Sequence, residues 1–133
     1  MRTINKIIIH CTATPLETSF VSIRHYHLSL GYKDVGYHYL IDRFGYIHYG
    51  RSLEQVGAHC KGQNRDSIGI ALIGGLDGKF DFTRKQILCL INIVDNLQIR
   101  FNNKLFVYGH NDFTKNKTCP NFNVKNFFAY ESK

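Results

Sequence analysis

Residues 67–75 read SIGIALIGG, an apolar run closed by paired glycines. A strand with one wet face alternates apolar and polar residues. This run barely alternates, which is the pattern of a strand covered on both faces. It therefore predicts a central strand in a chain that lays further structure against both sides of a sheet. The flanking sequence supplies that structure. Residues 5–11 (NKIIIHC) and 104–110 (KLFVYGH) are short and rich in β-branched or aromatic residues, and predict two more strands. Residues 35–51 (VGYHYLIDRFGYIHYGR) predict a pair of strands around a turn at Asp42–Gly45.

The helices are read from a different period. In 83–101 (TRKQILCLINIVDNLQIRF), Ile87, Leu90, Ile91, Val94 and Leu97 form one apolar stripe, with Thr83 as cap. In 18–32 (TSFVSIRHYHLSLGY), Phe20, Ile23, His27 and Leu30 recur at helical spacing, between Thr18 or Ser19 as cap and Gly31 as stop. NVKNFFAYESK (123–133) predicts a short closing helix. Strands alternating with helices, plus one hairpin, predict an α/β fold. Residues 1–133 form a single domain with a mixed central β-sheet flanked by helices. At 133 residues and 44% hydrophobic content, the chain can bury a core of its own.

Composition narrows the function classes. No apolar run approaches the roughly 20 residues that span a bilayer, so no membrane insertion is expected. The apolar patch near the start is too short for a signal-peptide core, which places synthesis in the cytoplasm without a signal peptide. A net charge of +7 favours anionic partners. The cations are scattered, as at Lys33, Arg51, Lys61, Arg84, Lys104 and Lys117, so no dedicated nucleic-acid arm is expected. Oligomeric state is not written in the sequence, and a monomer is the default. Cys11, Cys60, Cys89 and Cys119 form no CxxC pair. Cys89 is expected in the core and Cys11 is expected buried, whereas Cys119 stands in a polar loop before Pro120.

His10 ends the first predicted strand and His110 the last, and loops that carry chemistry open at strand ends. Cys119 follows His110 by nine positions, near enough for the loop to fold back. Two imidazoles and a thiolate form a three-ligand zinc set that leaves a fourth position open. The same residues also admit plain structural histidines, or a thiol nucleophile at Cys119 beside His110. Spacing does not choose among these.

Four blocks, in order, carry a resemblance: IIIHCTAT (7–14), IRHYHLSLGYKDVGYHYLIDRFGYIHYGR (23–51), VGAHCKGQNRDSIGIALIGG (56–75) and GHNDFTKNKTCPNF (109–122). Together they resemble the zinc-dependent N-acetylmuramoyl-L-alanine amidases, the phage lysozymes of amidase type and the related peptidoglycan recognition proteins. The resemblance implies Zn2+ held by His10, His110 and Cys119, with Tyr37 and Lys117 assisting catalysis. It implies hydrolysis of the amide between N-acetylmuramic acid and L-alanine in peptidoglycan, by an endolysin-type enzyme that acts on the wall after release. It further implies that His59, and with it Asn64 and Arg65, borders the substrate groove. One departure stands out: the family usually spaces the second histidine and the cysteine eight apart, and the extra residue here lies in FTKNK (113–117). The competing reading is a non-catalytic peptidoglycan-binding module; such relatives commonly lack the cysteine that stands here at 119. Partner control through a phage RNA polymerase is known among similar amidases, but no signature for that surface is visible. His38, His25 and His27 are expected to be structural or surface residues. Tyr37 and His38, adjacent on a predicted strand, are expected to point to opposite layers.

Overall fold

Strand positions follow from how completely each apolar run can be covered. In the computed structural model, which describes residues 2–131, β1 (Lys6–Cys11), β2 (Tyr39–Ile41), β3 (Ile47–Tyr49), β4 (Ser67–Leu72) and β5 (Phe106–Gly109) form one sheet in the order β3-β2-β4-β1-β5. Every residue of β4 is buried, as its unalternating sequence requires. It lies parallel to β1, with Lys6 opposite Ser67 and Cys11 opposite Leu72, and parallel to β2. β5 is parallel to β1, and the β2–β3 hairpin adds the antiparallel edge. Mixed pairing around a parallel centre is the predicted class. Met1, Ser132 and Lys133, the last two in the expected closing helix, lie outside the described residues.

Three helices cover the faces: α1 (Phe20–Ser29), α2 (Arg84–Arg100) and α3 (Val124–Glu131). Ser19 caps α1 by accepting from Ser22 N–H, and Thr83 and Gln86 close a reciprocal capping box on α2. The strand period then sorts the sheet. Ile7, Ile9, Cys11, Ile41, Ile68, Ile70 and Leu72 pack towards α2 with Leu90, Ile93, Val94 and Leu97. On the other face Leu40, Ala71 and Ile73 meet Ile23 of α1. Each such fully buried aliphatic side chain contributes about 1.5–3 kcal/mol from removal of its surface from water.

The α2 stripe is rotated from its predicted position. Gln86, Leu90, Ile93, Val94 and Leu97 are buried, while Ile87 and Ile91 lie half-buried on the flank. The cause is polar: the Gln86 side-chain amide donates to the carbonyls of Ile41 and Ile73, at the ends of β2 and β4. Turning this residue inwards gives its buried amide two acceptors, which outweighs keeping every isoleucine central. Cys89 is likewise half-buried at the edge of this cluster, not inside it.

Candidate active site

β1 and β5 run side by side, so the ends of both deliver side chains to one place. His10, the fifth residue of β1, is 1% exposed. His110 opens a 3-10 turn directly after β5, and Cys119 returns on the following loop. One ligand atom from each of these three residues lies within 4.8 Å of the other two. The closest approach is His10 Nδ1 to His110 Nδ1, 3.2 Å. Two nitrogens on one tetrahedral zinc, each bonded at about 2.0–2.1 Å, sit roughly 3.3 Å apart, so the imidazole pair is already at ligand spacing. The donor set also fits: neutral imidazoles and a thiolate suit zinc better than hard, oxygen-seeking cations.

The local backbone explains why Cys119 comes back. Asn111 N–H donates to the Cys119 carbonyl at 2.8 Å, and the Asn111 amide reaches the carbonyls of Thr118 and Phe122. These bonds pin the mouth of the loop and leave most of 113–117 exposed at its tip, where length is cheap to vary. The Asn121 amide ties the loop to the carbonyls of Gly75 and Lys79. Gly75, second of the paired glycines, has φ +78° and passes Cys11 so closely that a Cβ would fall 2.6 Å from its Sγ. Cys11 N–H donates to Cys119 Sγ at 3.0 Å.

Electrostatics holds the imidazoles neutral. Burial, then the nearby His59, His110 and Lys117, depresses His10 well below the ordinary histidine range. Burial and Lys117 do the same to His110. The hydrogen bond with the Cys11 side chain, then burial, pushes the Cys119 thiol up, and the Cys11 N–H bond opposes them. Lys117 is exposed but near enough for its charge to act on all three groups. The Tyr37 ring stands 5.2 Å from that of His10, and burial raises its phenol above the ordinary range. Tyr37 also lines a cleft of about 420 Å³ with Thr12, Thr14, Ser22, Tyr26 and His27.

Tyr37 and His38 do not separate to opposite layers. Both rings reach the histidine cluster, Tyr37 at His10 and His38 at 5.9 Å from His59. Alternation binds only a regular strand, and β2 starts at Tyr39. His38 Nδ1 accepts from Gly69 N–H at 3.0 Å, and Nε2–H donates to the Gln55 carbonyl at 2.8 Å. Burial pushes it down to about 4. His59, 9% exposed, is pushed down to about 3 by burial and then by charge on neighbouring His38 and His110. Its Nδ1 lies 2.8 Å from His10 Nε2. His27 Nδ1 accepts from Gly36 N–H, and His25 is exposed.

Asn64 and Arg65 are set apart from the trio. They occupy a 3-10 turn (Asn64–Asp66) leading into β4, at the amino edge of the parallel strands. Asn64 Oδ1 accepts from the N–H groups of His59 and Cys60, and Arg65 is exposed. The sequence marked Asn64 as a groove residue and not as this brace, and Ser67 beneath His59 does not stand out until its neighbours are known.

Comparison with known proteins bears on the family and the fold. The family model described as N-acetylmuramoyl-L-alanine amidase matches residues 1–122. An endolysin of Enterobacteria phage T3 is 39% identical over 132 residues, 95% of this chain and 86% of that protein. The structure of the amidase LysC from Clostridium intestinale superposes with a TM-score of 0.81 at 28% identity, covering 92% of this chain and 80% of that one. Bumblebee PGRP-SA superposes with a TM-score of 0.79 at 26% identity, covering 97% and 82%.

Proposed function

The chain belongs to the N-acetylmuramoyl-L-alanine amidase family, and from that premise we propose that His10, His110 and Cys119 hold a catalytic zinc ion served by Tyr37 and Lys117. The protein is a peptidoglycan amidase of the phage endolysin kind, acting on the bacterial cell wall. It hydrolyses the amide between N-acetylmuramic acid and L-alanine. Among the described residues, no helix is long and apolar enough to cross a membrane.

The observation that carries the zinc reading is the convergence of three ligand residues, two imidazoles and a thiol, from two strand ends, with the two Nδ1 atoms 3.2 Å apart. Zinc held by these residues would supply an acidified water and a polarised carbonyl, which is what a linear amide needs for hydrolysis near neutral pH. The chain's own groups do the rest. The Cys11 N–H aimed at Cys119 Sγ favours the thiolate, the ligating form. Tyr37, whose phenol is raised by burial, stays protonated at neutral pH and serves as a hydrogen-bond and proton donor at the reacting amide. Lys117 faces the negative charge that develops on the carbonyl oxygen. The hydroxyl-rich cleft beside Tyr37 offers donors and acceptors for the muramyl peptide. His59 serves the same centre from beneath. Asn64 shapes the His59 loop, and the exposed Arg65 is offered to the substrate from the neighbouring turn. In this reading the protein acts as a monomer and needs no nucleic acid.

The test is loss of turbidity of purified peptidoglycan with release of stem peptides carrying N-terminal L-alanine. Activity is expected with one zinc per chain and is expected to vanish after chelation. Hydrolysis that persists in metal-free protein or in Cys119→Ala would overturn the zinc reading. Sacculus binding without any hydrolysis would favour the non-catalytic alternative.

A further inference from the structure

We propose that His59 is a positioning residue for His10, the middle of a polarised hydrogen-bond chain that leaves a lone pair on His10 Nδ1. The inference deepens the zinc reading and rests on it for its purpose, but not for its geometry.

The polarity follows from one end. Ser67 Oγ is 2.7 Å from the Gln63 carbonyl, which can only accept, so the single hydroxyl hydrogen is spent there. Ser67 Oγ also contacts His59 Nε2 at 3.3 Å, and with its hydrogen used it must accept from an Nε2–H. A neutral imidazole that carries its hydrogen on Nε2 has a bare Nδ1. That atom lies 2.8 Å from His10 Nε2, so His10 must donate Nε2–H. The hydrogen of His10 is thereby assigned to Nε2, and Nδ1, the atom 3.2 Å from His110 Nδ1, is left as a lone pair. A main-chain carbonyl thus sets the tautomer of a ligand three hydrogen bonds away.

The scaffold reserves space for this chain. Ser67 is fully buried, and His59 rests on the bare backbone of Gly69, where a Cβ would fall 2.6 Å from the imidazole ring. Any side chain at 69 displaces His59. The Asn64 side chain fixes the other side of the same unit by accepting from His59 N–H. In the sequence, SIGI therefore holds two working elements: Ser67 ends the relay and Gly69 makes room for it.

Two measurements test the proposal. In metal-free wild type, nitrogen-15 histidine spectra are expected to show His10 as the Nε2–H tautomer and His59 as the Nε2–H tautomer. In zinc competition against a chromogenic chelator, His59→Ala is expected to weaken zinc binding about 10- to 100-fold, with kcat falling at saturating zinc and KM little changed. His59→Gln, whose amide can accept from His10 and donate to Ser67, is expected to recover part of the affinity. Ser67→Ala leaves both rings in place and is expected to lose the single-tautomer signature of His59. A His10 that carries its hydrogen on Nδ1 in wild type would overturn the proposal, as would unchanged zinc affinity in folded His59→Ala and His59→Gln. If wild type binds no zinc, the zinc reading fails while the tautomer spectra still decide the relay.

Discussion

His10 and His38 are both about 1% exposed, both neutral, and both on the same layer of the sheet. Burial and proton affinity do not distinguish them; bonding does. His38 spends each ring nitrogen on the main chain, accepting from Gly69 and donating to Gln55. It joins the hairpin and its loop to the central strand and has nothing left for a ligand. His10 spends one nitrogen on a side chain and turns the other toward a second imidazole. A buried histidine becomes reactive where the backbone leaves one of its nitrogens unclaimed. The comparison makes opposite demands on mutation at the two positions.

The largest effect is expected at the centre. Cys119→Ala should lower kcat by on the order of 10³-fold or more, since it removes a ligand while the loop remains tied through Asn111 and Asn121. Thermal melting should show a folded protein. Equal loss of fold and activity would erase the distinction drawn here. Next is His38→Ala, which leaves Gly69 N–H and the Gln55 carbonyl unpaired and opens a void. Urea unfolding should report a loss of roughly 3 kcal/mol, while the surviving folded fraction keeps its zinc stoichiometry.

The third is a pH effect of similar size. His38 titrates near 4 in the folded protein and near 6.5 when unfolded. Between those values the unfolded chain binds more protons, so stability is full above pH 6.5 and falls as pH drops towards 4. At about 1.4 kcal/mol per pKa unit the loss is about 3 kcal/mol. In metal-free protein the depressed His10, His59 and His110 add to the same fall, so the His38 share is the part of the slope that disappears in a His38→Gln variant. A stability that rises on acidification would reverse the assignment. Smallest is Lys117→Ala, expected to lower kcat about 10- to 100-fold with KM nearly unchanged. Exposure of the ammonium to water limits its worth.

Much of this was legible in the chain because burial writes itself as period. SIGIALIGG announced a strand covered on both faces, and Thr83 announced its helix. The trio His10, His110 and Cys119 was visible as residue types at strand ends, and the family blocks made it a set. What escaped was polar and contextual. Gln86 looks like a surface residue until its amide is seen to reach the carbonyls of Ile41 and Ile73. Ser67 looks like the plain start of a strand, and Asn64 like a groove residue, until His59 is placed above them. Hydrogen-bond partners distant in sequence leave no periodic trace, so the inner supports of the site stayed hidden while its ligands did not.

The pairing of β1 with both β4 and β5 has a consequence for the life of the chain in the cell. Cys119 touches the Cys11 backbone across 108 positions. The ribosome therefore releases His10 early, but the centre cannot close until the last strand and its loop have emerged. A nascent chain that stops short of residue 119 lacks one of the three residues of the trio. The topology itself ties assembly of the centre to synthesis as far as Cys119.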